Sequence, residues 1–315
     1  MSASAFILGA GFGTRLRPLT LTHPKPLMPI LGRPLIDYAL ASLKQANIEH
    51  IMVNAHYLWE QVARWAEHNT VELQLELPDI LGTGGGLKAA LPRLNDKVII
   101  WNGDILCDVS ASKLLDACPE NGAVMALRHS QNLGKTTPLL HDNGLVTRIG
   151  DICSVPNAPE AIRGGEGHHF TGIHAMARQT LHQIPNGEQC VVRTAYRTLV
   201  PDKKVNAHLH DGYWLDIGNP SEYWQTLMAI LRREVELPID PWTEHSDTSS
   251  WVSPRAQVDG QLTQSVIEAG ATVPKGVELN QCVVWENVTV PKGKYRGCIF
   301  TGTHVINADP SQQRE

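Results

Sequence analysis

The sequence is poor in cysteine, in charge of one sign and in long apolar runs. Six cysteines stand at 107, 118, 153, 190, 282 and 298, and no two form a CxxC pair. No Cys/His group has zinc-binding spacing, which argues against a linear zinc motif or a disulfide framework. Reduced thiols in a cytoplasmic protein are expected. Lys and Arg number 27 against 32 Asp and Glu, a formal charge of −5. That balance argues against a dedicated nucleic-acid or membrane-surface protein but leaves room for a local basic site. No apolar run approaches the roughly 20 residues of a membrane span. Phe6-Ile7-Leu8 meets glycine at once, so no secretory signal is expected.

The chain does have enough apolar residues, 42% of 315, for a large core. Its first half alternates strand and helix signals. Ala5 to Leu8, His50 to Asn54, Val71 to Leu77 and Lys97 to Trp101 read as strands. Pro34 to Asn47 and Tyr57 to His68 read as helices, and "LGTGGGLKAAL" reads as a glycine loop opening another. This alternation predicts an α/β fold with a Rossmann-like, mostly parallel mixed sheet flanked by helices. Residues 129 to 169 are irregular and are expected to form a flap over one sheet edge. Phe170 to Ala175 returns as a strand, and a later helix runs to about Glu234. Residues 1–235 are read as the α/β domain and 236–250 as a linker rich in Pro, Ser, Thr and acids. From 251 to 315 "TVPKG" recurs, at Thr272 and Thr289, within units of about 15 to 18 residues. That repeat predicts a short C-terminal left-handed parallel β-helix.

The densest chemistry lies in "ILGAGFGTRLRPLTLTHPKPLMPILGRP", Ile7 to Pro34. A strand enters a loop with Gly9, Gly11 and Gly13, and Thr14, Arg15 and Lys25 follow. A dinucleotide fingerprint would need a third glycine where Thr14 stands, and a P-loop would need GK[ST], which is absent. What remains is a loop whose N–H groups can approach an anion, with a forked and a point cation nearby.

The string GxGTRLxPLT-x(4)-PKPLxP resembles the signature of the sugar-1-phosphate nucleotidylyltransferases. "LGTGGGLKAAL", "WNGDILCD" and "GYWLDIGNPSEY" resemble that family's base-recognition loop, its NGD motif and its W-x-D-x-G motif. The resemblance implies that an NTP and a sugar 1-phosphate give an NDP-sugar and pyrophosphate. It implies that Leu8, Gly9, Gly11, Gly13 and Thr14 cradle the nucleotide, with Gly84, Gly85, Asn102 and Gly103 also in contact. Arg15 is expected at the departing phosphates and Lys25 at the α-phosphate. Asp104 and Asp216 are the expected Mg²⁺ ligands, since Mg²⁺ commonly takes one or two carboxylates plus phosphates and waters. Asp108 is read as a cap of the helix starting near Ala111. Thr171 and Gly172, in "FTGIH", are the expected sugar contacts.

The sequence departs from the family in one respect. Many relatives carry a Glu-Lys-Pro motif at the sugar phosphate, and none is present. Between His129 and Phe170 only Lys135, Arg148 and Arg163 offer cations in its place. The departure, with LGTGGG and FTGI, resembles N-acetylmuramate 1-phosphate uridylyltransferases, whereas the tail resembles mannose or heptose 1-phosphate guanylyltransferases. Uridylyl transfer from UTP is ranked slightly ahead of guanylyl transfer from GTP. A catalytically silent nucleotide-sugar-binding subunit is the alternative of another class, and retention of Arg15, Lys25, Asp104 and Asp216 argues against it. His168 and His169 are read as loop or strand-edge residues, because neighbours on a strand point to opposite faces. The tail is expected to mediate homo-oligomer contacts or to pack on the catalytic domain.

Overall fold

The computed structural model describes residues 2–131, 137–160, 167–242 and 249–312. The chain divides into two compact units. One comprises Met1–Phe12 and Ala39–Trp214, the other Gly13–Tyr38 and Leu215–Glu315. Lys135, Arg163 and positions 243–248 of the expected linker lie outside the described residues.

The first unit is built on a ten-stranded sheet. Ala3–Leu8 sits between His50–Ala55 and Lys97–Asn102 and is parallel to both, and Glu72–Leu75 extends the parallel run. Phe6, Ile7, Met52, Val53, Val98, Ile99 and Ile100 are fully buried, as expected of strands covered on both faces. The chain winds outward from Ala3–Leu8 in one direction through His50–Ala55 and Glu72–Leu75. It then returns to the other side with Lys97–Asn102. Ala3–Leu8 and Lys97–Asn102 therefore flank a switch point, the place where open α/β sheets make a crevice at their strand C-termini.

The other half of the sheet is mixed. Gly167–Ala177 runs antiparallel to Lys97–Asn102 and to Ala123–Ser130, while Val205–Leu209 is parallel to Ala123–Ser130. The expected flap is part of the sheet. Pro138–Asp142 and Leu145–Ile149 form a hairpin that pairs with Gly167–Ala177 and Val205–Leu209. Its apolar residues decide this, since Leu139, Val146 and Ile149 are buried in the core. The glycines of "LGTGGG" do not precede the next helix but lie within it, at Gly82–Ala90. Asp108 does not cap the helix Ala111–Ala117. Ser110 does, its Oγ accepting the Lys113 N–H at 3.3 Å.

In the second unit the helix Pro220–Leu231 starts from Asn219, whose Oδ1 accepts the Glu222 N–H at 3.0 Å. Tyr223 is buried and donates its hydroxyl to the Pro29 carbonyl at 2.7 Å, and Trp285 Nε1 donates to that hydroxyl at 3.2 Å. These bonds tie segment 13–38 to the C-terminal residues.

The expected left-handed parallel β-helix is corrected. The C-terminal residues form a five-stranded sheet of Trp251–Val252, Val266–Ile267, Val283–Val284, Cys298–Phe300 and Val305–Asn307. Shorter two- and three-stranded parallel sheets accompany it. The first four strands pair in parallel, but the last pairs antiparallel with Cys298–Phe300 and closes the sheet off. The reason is local. The repeat dictates neighbour-on-neighbour stacking only while it lasts, and it ends after Cys298. There the His304 N–H meets Thr301 Oγ1 at 2.9 Å and the Thr301 N–H meets the His304 carbonyl at 2.9 Å, so the chain reverses.

Candidate active site

In the first unit a cleft of about 200 Å³ opens at the switch point, lined by Leu8, Ala10, Gly11, Asn54, Ile80, Gly82, Thr83, Asn102 and Asp104. Four of the expected residues, Leu8, Gly11, Asn102 and Asp104, share this cleft. Gly9 is buried beside it and Gly103 bonds the Leu8 carbonyl through its N–H at 2.9 Å.

A buried polar chain sets the cleft's walls. The Gly9 N–H donates to Asn54 Oδ1 at 2.7 Å, Asn54 Nδ2 donates to Glu76 Oε1 at 2.7 Å, and Glu76 Oε2 accepts the Leu81 N–H at 2.7 Å. Glu76 is 1% exposed and Asn54 2%. Buried polar groups are tolerated only when paired, and here each pairing fixes a backbone segment that faces the cleft. Neither residue belongs to a recognisable motif. The one signal available was a polar Asn54 ending the apolar strand "HIMVNA".

Gly84 and Gly85 are not among the residues that line this cleft. They pack against residues 187–191, with the Gly84 N–H donating to the Gln189 carbonyl at 2.7 Å. A Cβ on Gly85 would fall 2.1 Å from the Gly187 carbonyl oxygen. The residues of that helix that do face the cleft are Gly82 and Thr83. Thr171 is buried and spends its hydroxyl on the Ala126 carbonyl at 2.9 Å, while its own carbonyl accepts Trp214 Nε1 at 2.8 Å. Gly172, at φ +82°, leaves room for the Asn102 amide.

The cationic residues belong to the second unit. Gly13 takes a left-handed conformation, φ 61° and ψ 29°, and its carbonyl accepts Thr20 Oγ1 at 2.8 Å. A Cβ there would meet Thr20 Cγ2 at 2.9 Å, so conformation and space both require glycine. Thr14 and Arg15 follow in a single 3₁₀ turn and are exposed. Lys25 Nζ lies 3.7 Å from Asp216 Oδ1, with the lysine side chain 11% exposed and the aspartate 37%. A lysine held this far from water needs a nearby anion. Asp216 meets that need, and an incoming phosphate would meet it equally.

The family model described as nucleotidyl transferase matches residues 4–233. The chain is 31% identical over 258 residues to a UTP–glucose-1-phosphate uridylyltransferase of Synechocystis sp., covering 74% of this chain and 64% of that protein's length. It is 27% identical to a mannose-1-phosphate guanylyltransferase of Mycobacterium tuberculosis, over 92% of this chain and 81% of that one. It is 31% identical to an N-acetylmuramate alpha-1-phosphate uridylyltransferase of Neisseria meningitidis, over 68% of this chain and 92% of that one. The crystal structure of HddC from Yersinia pseudotuberculosis superposes with a TM-score of 0.59 at 21% identity. It covers 72% of this chain and 99% of that one, a likeness of fold. The chain belongs to the nucleotidyl transferase family, among the sugar-1-phosphate nucleotidylyltransferases.

Proposed function

We propose that this protein transfers a guanylyl group from GTP to a mannose- or heptose-type sugar 1-phosphate, releasing pyrophosphate. The observation that carries this reading is the extent of the Mycobacterium tuberculosis match. It covers 92% of this chain and so runs beyond residues 4–233 into the C-terminal residues. The order of the two base readings made from sequence is thereby reversed. Uridylyl transfer to an N-acetylmuramate-type sugar stays as the second reading, supported by the 31% identity to the Neisseria meningitidis protein over 92% of its length.

The sugar phosphate oxygen attacks the α-phosphorus in line and the pyrophosphate bond breaks. Little covalent work falls to the protein, so positioning and charge neutralisation dominate. Gly11, with open space around its Cα, lets its N–H approach a phosphate. Lys25 neutralises the α-phosphate and Arg15 the leaving phosphates, and Asp216 orients Lys25 through their ion pair. Asp104, which lines the cleft, and Asp216 are the carboxylates that would hold a hard divalent cation such as Mg²⁺. When bound, Mg²⁺ would supply charge neutralisation at the phosphates.

The test is pyrophosphate release with Mg²⁺ across five nucleotides and a panel of sugar 1-phosphates, beside Lys25→Ala and Asp104→Asn. Release with GTP and a mannose-type sugar is expected, falling about 10²- to 10³-fold in Lys25→Ala. Release with UTP alone would select the second reading. Silence across the panel with nucleotide-sugar binding retained would favour a regulatory subunit.

A further inference from the structure

Cys107 and His210 are separated by 103 positions in the chain, and the fold brings them together with Asp108. Cys107 ends the strand Ile105–Cys107, and His210 follows the strand Val205–Leu209. The His210 N–H donates to the Leu127 carbonyl at 2.8 Å, which holds its backbone against the sheet. Its ring Nε2 then lies 3.4 Å from Cys107 Sγ, 3.1 Å from Asp108 Oδ1 and 3.1 Å from the Tyr213 carbonyl oxygen. Gly212 makes the approach of Asp108 feasible, since a Cβ there would fall 2.2 Å from Oδ1. The absence of zinc spacing in the linear sequence thus says nothing about this group, which forms only in three dimensions.

Hydrogen bonding alone accounts poorly for the arrangement. One imidazole nitrogen carries at most one proton, so an Nε2–H shared between the Asp108 carboxylate and the Tyr213 carbonyl leaves the Cys107 sulfur at the same nitrogen with only a weak contact. A tetrahedral cation accounts for all of them. Around zinc, a nitrogen and a sulfur ligand stand roughly 3.6 Å apart and a nitrogen and an oxygen roughly 3.4 Å. The observed 3.4 and 3.1 Å are close to those edges, and the Cys107, Asp108 and His210 donor atoms all lie within 4.8 Å of one another.

We propose that Cys107, Asp108 and His210 bind a thiophilic divalent cation of the zinc class, with the Tyr213 carbonyl as a fourth donor. Binding forms a metal–sulfur bond and releases the Cys107 thiol proton to solvent. The sulfur donor selects against Mg²⁺, so this site is separate from any ion used in nucleotidyl transfer. The ion would staple the turn after Ile105–Cys107 to the turn after Val205–Leu209.

The test is a Co²⁺ titration of chelator-treated full-length protein in excess Mg²⁺, followed optically. One equivalent should give a tetrahedral spectrum with a sulfur-to-cobalt charge-transfer band. That band should vanish in Cys107→Ser, and Asp108→Asn, at an exposed residue, should weaken binding at least 10-fold while keeping it. Zn²⁺ should displace Co²⁺ and raise the melting temperature by about 5 °C in the native protein but not in Cys107→Ser. No binding, or a charge-transfer band that survives in Cys107→Ser, would overturn the proposal. So would cobalt held without any sulfur band. That result would point to His129, His141 and His168, whose rings meet at 5.3 and 4.6 Å on neighbouring strands.

Discussion

Asn54 donates to Glu76 at 2.7 Å across the ends of two parallel strands, and both side chains are buried. Through the Gly9 and Leu81 N–H groups this one contact couples the glycine loop to the segment leading into the helix Gly82–Ala90. Truncating Asn54 to Ala strands the Gly9 N–H and one oxygen of a buried carboxylate. A loss of about 3 kcal/mol is expected from urea unfolding. Glu76→Gln should cost about 2 kcal/mol, because its amide turns a donor toward a donor. Full stability in Asn54→Ala would mean that water replaces the side chain.

Two glycines should behave oppositely on substitution. Gly85→Ala drives a methyl to 2.1 Å from the Gly187 carbonyl oxygen and should destabilise by about 2 kcal/mol or more. Gly11 has nothing within 4 Å of an added Cβ, so Gly11→Ala should leave the melting temperature almost unchanged. Its effect should appear as a raised KM for the nucleotide. Thermal unfolding beside nucleotide kinetics separates the two.

Glu268 should make the second unit less stable as pH rises. Its carboxylate accepts the Gly32 N–H at 3.0 Å, yet burial dominates and lifts its pKa from 4.5 to about 7. The folded state then binds the proton more tightly than the unfolded one. Its contribution is complete below pH 4.5 and is lost as pH climbs to 7, a swing of about 3 kcal/mol. Glu268→Gln should flatten that part of the stability–pH curve. An unchanged slope would show that the carboxylate reaches water.

His174 should work in the other direction in the first unit. It is fully buried, its Nδ1 lies 2.6 Å from the Tyr196 hydroxyl, and desolvation lowers its pKa from 6.5 to about 3. Here the unfolded state binds the proton more tightly. Stability is complete above pH 6.5 and falls as pH drops toward 3, by on the order of 5 kcal/mol. His174→Asn, which retains a polar atom near Nδ1, should reduce this acid sensitivity in a pH series of denaturant midpoints.

Taken alone, the sequence determined whatever depends on near neighbours. The apolar strand runs, the helix ending near Glu234 and the glycine-rich loop are local matters of backbone freedom and burial period. The family signature was legible for the same reason, since its residues crowd into one short segment. Only the tertiary structure decided which distant groups meet. It joined Asn54 to Glu76 and Lys25 to Asp216, packed Gly84 and Gly85 against residues 187–191, and set Cys107 and Asp108 against His210. It also drew the expected flap into the sheet and ended the C-terminal repeat with an antiparallel strand. Such pairings follow from the packing of whole strands and from the cost of leaving a buried polar group alone, and neither leaves a mark at any fixed spacing along the chain.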